Sequence, residues 1–212
     1  MPRLLLCALL LLAGIVPGAR AATAWDESIS GDLSNVGTAP TIVSLDLGSN
    51  ILSGTTGRST GGVDRDYFVF TLPAGSQLDT LTLLPGSTFL GPSAVSFIAV
   101  QAGPQVTVSP TGGSAAGLLG WWHYGENDLG TDILPLIGIG LGASGFTGSL
   151  QAGTYAFWIQ DTGSGSAAYR FDFGVSAVPE PGVGLLLAGG LVVLQCLRQR
   201  RAARGSFTAH DN

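Results

Sequence analysis

The chain has 212 residues, 45% of them hydrophobic and only 11% charged. Between Ala22 and Ala177 three arginines stand against twelve carboxylates, a net of −9, which repels a phosphate backbone and excludes nucleic acid as a partner. The same stretch holds no cysteine, so it folds without disulfides and offers neither thiol chemistry nor a thiolate zinc site. Neutral glycans, cations and basic surfaces are left as partners.

The first 21 residues read as a secretory signal peptide. Arg3 gives the positive start, Leu4 to Val16 the apolar run, and Pro17 breaks the helix ahead of Ala19 and Ala21. Cleavage is expected after Ala21, with Ala22 as the alternative, and signal peptidase is the implied partner. The run is too short to span a membrane comfortably.

Residues 22–177 read as one extracytoplasmic all-β domain. Short alternating segments are separated by Gly, Pro, Ser and Asp. The pattern predicts strands over Thr41–Leu47, Asp66–Leu72, Gln77–Leu84, Ala94–Gln101, Gln105–Val108, Leu118–Tyr124, Ile133–Ile139, Gly153–Gln160 and Ala168–Val175. Asp66–Leu72 is apolar on both faces, as a central strand would be. In Ala168–Val175, Tyr169, Phe171, Phe173 and Val175 share one face, and Arg170 and Asp172 the other. Ser53–Gly62 and Thr111–Gly117 read as flexible loops. The number of strands predicts an antiparallel β-sandwich or jelly roll. No long amphipathic helix is expected outside the two apolar ends.

Chemistry-bearing residues are sparse in this domain. His123 is its one histidine, and a triad would need it beside Asp128 or Asp132 and an unidentified serine. No G-x-S-x-G elbow is present, and no carboxylate pair stands out for glycosidase work. No catalytic residue is therefore assigned. The sequence demands no cofactor, and calcium is the one candidate: Asp64 and Asp66 lie one residue apart before a strand, and oxygen ligands suit Ca²⁺. The competing role for them is local, with Asp66 fixing the turn and Asp64 solvated or paired with Arg65. Trp122 and Tyr124 share one face of the aromatic run 121–124 and are the candidates for stacking on a sugar ring. Trp121 and His123 share the other.

The C-terminus carries three features in order. Pro179, Glu180 and Pro181 come first, then an apolar segment from Val183 to Leu197, then Arg198, Arg200 and Arg201. Fifteen helical residues span about 22 Å, short of the ~30 Å hydrocarbon core. Snorkelling arginines complete a minimal single transmembrane helix and stop it on the cytoplasmic side. A tail, residues 202–212, follows inside.

These residues resemble a PEP-CTERM sorting signal over 178–201. That resemblance implies an exosortase-like membrane transpeptidase as partner, processing near the triplet, and a Gram-negative cell that makes exopolysaccharide. Two departures are Gln195 within the apolar run and the tail beyond the arginines. Within the domain, Asp64-x-Asp66-Tyr67-Phe68-x-Phe70-x-Leu72-Pro73-Ala74-Gly75 and Leu150-x-Ala152-Gly153-Thr154-Tyr155-x-Phe157 resemble the paired signatures of bacterial pre-peptidase C-terminal domains. Those are small β-sandwich modules of secreted proteins, and some of them bind calcium. The expectation is an exported, non-enzymatic surface or matrix protein, anchored transiently or stably and then released to the cell surface. The alternatives are an accessory glycan- or calcium-binding module of a secreted enzyme system, and a hydrolase.

Overall fold

The computed structural model describes residues 21–178 except 92, and a few positions between 190 and 198. The leader up to residue 20, the Pro179-Glu180-Pro181 triplet, Arg200, Arg201 and the tail lie outside the described residues. So does most of the apolar segment, and Arg198 is seen only as an exposed residue. Among the described residues no helix is long and apolar enough to cross a membrane.

The chain forms β1 (Ala22–Asp26), α1 (Glu27–Ser30), β2 (Thr41–Ile42), β3 (Gly48–Ser59), β4 (Gly62–Leu72), β5 (Ser76–Leu83), β6 (Val95–Ala102), β7 (Gly120–Gly125), α2 (Leu134–Gly138), β8 (Gly153–Gln160) and β9 (Gly165–Ala177). The strands follow one hydrogen-bonded path, β5-β9-β3-β4-β8-β6-β7, and each pairing along it is antiparallel. Two short strands add parallel edges, β1 on β3 and β2 on β4. The path curls where β3 meets β4, because those strands pair only at their hairpin, from Gly57↔Asp64 to Ser59↔Gly62. Strands β5, β9 and β3 thereby face β4, β8, β6 and β7 across a shared core.

Alternation explains that core. Tyr169, Phe171, Phe173 and Val175 of β9 are all buried. Phe173 meets the rings of Phe68, Phe70 and Phe157 edge-on, with centroids 5.8, 5.8 and 5.6 Å away. Such T-shaped contacts add to the stabilisation from burying apolar area. Strand β4 is buried on both faces, as its sequence predicts. Phe68 and Phe70 enter the main core, whereas Tyr67 and Val69 pack under Val106 and Leu118 on the outer side.

Four predicted segments are corrected. The expected loop Ser53–Gly62 is the second half of β3 and the tight turn into β4, and β3 pairs with β9 from Gly48↔Val175 to Gly57↔Ser166. Its inward positions are Asn50, Leu52 and Thr56, so polar side chains hide its period. Asn50 is satisfied there: its amide donates to the carbonyls of Asp46, Gly48 and Phe173, and its oxygen accepts from Asp46 N. The expected strand Ile133–Ile139 is helical. Pro135 lacks the N–H a ladder needs and suits a first turn, and Leu134 and Ile137 bury one helical face. Gln105–Val108 is a loop that covers the outer face of β4, with Val106 N donating to Gly37 O at 2.8 Å. Within Thr41–Leu47 only Thr41–Ile42 pairs as a strand; Val43 is buried, and Ile42 and Leu47 are exposed.

Phe173→Ala should cost about 3–5 kcal/mol, since it opens a cavity among three rings. Urea unfolding followed by tryptophan fluorescence measures that loss. Asn50→Ala should cost about 1–3 kcal/mol for stranding buried carbonyls.

Candidate functional site

An acidic site forms where the start of the domain meets β3, β4 and β9. Asp26 ends β1 in extended conformation and caps α1, its carboxylate accepting from Ser28 N at 3.0 Å and Ser28 Oγ at 2.6 Å. Gly31 ends the turn at φ 89°, a left-handed conformation suited to glycine, and its carbonyl accepts from Trp25 Nε1 at 3.0 Å. This tight turn carries Glu27 at its head and Asp32 just beyond it.

Glu27 is tied to two segments. One carboxylate oxygen accepts from Thr55 N of β3 at 2.8 Å, and the other from Leu33 N at 3.2 Å. Gly54 makes room for it, because a Cβ there would collide with the Glu27 carboxyl and the Tyr169 hydroxyl.

Asp66 of β4 is 0% exposed, and neither of its carboxylate oxygens has a hydrogen-bond partner. Ligand oxygens of Glu27, Asp32 and Asp66 all lie within 4.8 Å of one another. The buried Tyr169 hydroxyl sits beside Asp66 but is itself unpartnered. In front lies an open pocket of about 600 Å³, lined by Glu27, Asp32, Gly54, Asp64, Tyr169 and Arg170 among others.

The electrostatics are one-sided. Burial pushes the Asp66 carboxyl up to about 9, with Glu27, Asp64 and Asp32 adding to the rise and the neighbouring Tyr169 hydroxyl opposing it. Burial also raises Glu27, against the lowering effect of the Thr55 and Leu33 amides. Every charged group acting on Asp66 is a carboxylate.

The predicted pair Asp64 and Asp66 is split by this geometry. Asp66 points into the acidic group, whereas Asp64 is half-buried and accepts from Asn35 Nδ2 at 3.4 Å. Arg65 does not pair with Asp64; its Nε donates to Gln160 Oε1 at 2.9 Å. Glu27 and Asp32 were not singled out by the sequence. The Asp26 cap and Gly31 mark their turn, but the parallel pairing of β1 with β3 is what sets them beside Asp66.

The aromatic run also divides between two faces. Tyr124 is 1% exposed and Trp122 packs against the main core, so these two present no open stacking platform. A groove of about 280 Å³ lies on the other face, lined by Phe97, Trp121, His123, Trp158, Gln160 and Leu141 among others. Trp121 stacks on Phe97 at 5.9 Å and donates through Nε1 to Leu141 O at 3.0 Å. The Trp158 indole N–H is buried there without a partner. His123 is flanked by the Phe97 and Trp121 rings, and burial lowers its pKa. Asp128 and Asp132 serve the backbone instead, accepting from Gly125 N and from Leu81 N and Leu134 N.

No protein-family model, no curated protein and no solved structure matches the chain.

Asp66 makes metal-free stability fall with rising pH. The unfolded carboxyl releases its proton near 3.8 and the folded one near 9, so the folded state holds the extra proton between those values. Glu27 and Asp64, both raised, act in the same direction. In EDTA the urea midpoint should drop from about pH 5 to about pH 8, and Asp66→Asn should flatten that slope.

Proposed function

We propose that the protein is an exported, non-enzymatic surface or extracellular-matrix component of a Gram-negative bacterium, sorted through the signal at Pro179, Glu180 and Pro181 and associated with exopolysaccharide. The observation that carries this reading is the span of the described strands. The first starts at Ala22 and the last ends at Ala177. A signal-peptidase cut after Ala21 and a cut at the Pro-Glu-Pro triplet would both leave every described strand intact. In this reading the curled sheet is a sandwich module, and Val183–Leu197 holds it at the inner membrane until the exosortase acts. Arg198, Arg200 and Arg201 keep that segment's end in the cytoplasm.

The site chemistry fits binding better than turnover. His123 lies among rings, and Asp128 and Asp132 are committed to backbone amides.

A second reading, an accessory glycan-binding module, is favoured by the aromatic groove. Trp121 and Trp158 both line that groove, beside Phe97 and His123. Trp121→Ala should then abolish retardation in affinity gels cast with the native exopolysaccharide. Unchanged migration of both proteins would reject this second reading.

Fractionation with intact-mass spectrometry tests the first. The expected product starts at Ala22, ends between Pro179 and Gly182, and leaves the inner-membrane fraction. A chain that keeps its tail and stays in that fraction would point to simple anchoring instead.

A further inference from the structure

We infer that Glu27, Asp32 and Asp66 form a divalent-cation site, of calcium-like chemistry, that fastens the start of the domain to its central strand. This inference is independent of export and sorting.

The first ground is the buried, unpartnered Asp66. A carboxyl group in a protein interior normally has hydrogen-bond partners in either protonation state. Asp66 has none on either oxygen, although it is 0% exposed. The charges that act on it are carboxylates, and among the described residues the Tyr169 hydroxyl beside it is the one group that favours its ionised form. A cation supplies what the protein does not.

The second ground is convergence. A metal with bonds of about 2.3–2.6 Å can join oxygens up to about 4.6–5.2 Å apart, and the three oxygens all lie within 4.8 Å of one another. They come from separate parts of the chain: the head of α1, the loop after it, and β4. Glu27 is held towards the others by two backbone amides, so the set is oriented before any ion arrives.

Donor type selects the ion. The set is carboxylate oxygen only, without imidazole or thiolate, which suits calcium or magnesium and disfavours zinc and copper. Calcium needs six to eight oxygens and tolerates irregular geometry. Three carboxylates supply part of that number, and water from the open pocket supplies more. Magnesium demands a near-ideal octahedron and gives up its water reluctantly, so it fits this set less well. Asp64 lies outside the group and contributes charge only.

The consequence is mechanical. Strand β1 joins the sheet by one parallel edge with a register break between Thr23 and Trp25. An ion shared by Glu27, Asp32 and Asp66 pins that edge to β4. It does for this cysteine-free domain what a disulfide does elsewhere.

The test uses the full chain in mild detergent, stripped with EDTA and dialysed. Calorimetry should show one calcium bound per chain. At about a hundred times Kd, calcium should raise Tm by about 5–10 °C, and magnesium at the same concentration by less. Asp66→Asn should fold with an unchanged or higher metal-free Tm and lose the calcium shift. The double variant Glu27→Gln, Asp32→Asn, altered at the pocket wall, should keep the fold and weaken calcium at least about tenfold. No heat and equal Tm in calcium and EDTA for the unaltered protein would overturn the site. A calcium shift that survives Asp66→Asn, or that sodium chloride of equal ionic strength reproduces, would overturn it as well.

Discussion

Strand β9 is the constraint on which the architecture rests. It pairs with β3 on one edge and β5 on the other, so its position fixes half of the curled sheet. Its inner face then fixes the core, because Phe173 and Phe171 reach across to rings of β4, β8 and β7. Asp172, on the outer face, accepts from Ser49 Oγ and Asn50 N of β3. That bond holds the register of a strand whose own side chains specify it weakly. Tyr169, nearest the hairpin end, carries the same strand to the acidic site. A one-residue slip of β9 would turn all four apolar side chains to solvent and remove Tyr169 from Asp66.

Strands with a strong apolar period were legible in the sequence, and weakly apolar ones were not. β4, β5, β6, β8 and β9 stand close to where alternation and bounding turns place them. β3 escaped because Gly, Ser and Thr fill it, although it makes the longest ladder with β9. Those small residues are required by what lies opposite: Gly54 clears the Glu27 carboxyl and the Tyr169 hydroxyl. The helix α2 shows the reverse fault, an apolar run read as a strand in which Pro135 was the overlooked signal. The parallel edges β1 and β2 rest on contacts distant in sequence, for which local patterning gives no cue.

The candidate sites divide in the same way. Asp66 was visible as an acid at the mouth of an apolar strand. Its partners were not, since 34 residues separate Asp66 from Asp32 and only the fold brings them together. The aromatic run 121–124 announced two faces by alternation. It did not say which was inner, because Trp and Tyr suit either. The covering loop decides it: Val106 and Leu118 belong to the outer cluster, whereas Tyr124 joins the main core against Phe171.

A domain without cysteine must get its rigidity by other means than disulfides. The shared core supplies most of it, through some twenty buried apolar side chains. The edge formed by β1 is the weak place, since α1 buries no residue of its own. Without an ion Asp66 must keep its proton, and the edge weakens as rising pH removes it and leaves like charges facing one another. The three carboxylates, bridged by one cation, hold it shut. The balance between those outcomes depends on the ion available to the site. Local opening at the N-terminal edge therefore responds to the surrounding calcium while the core stays folded.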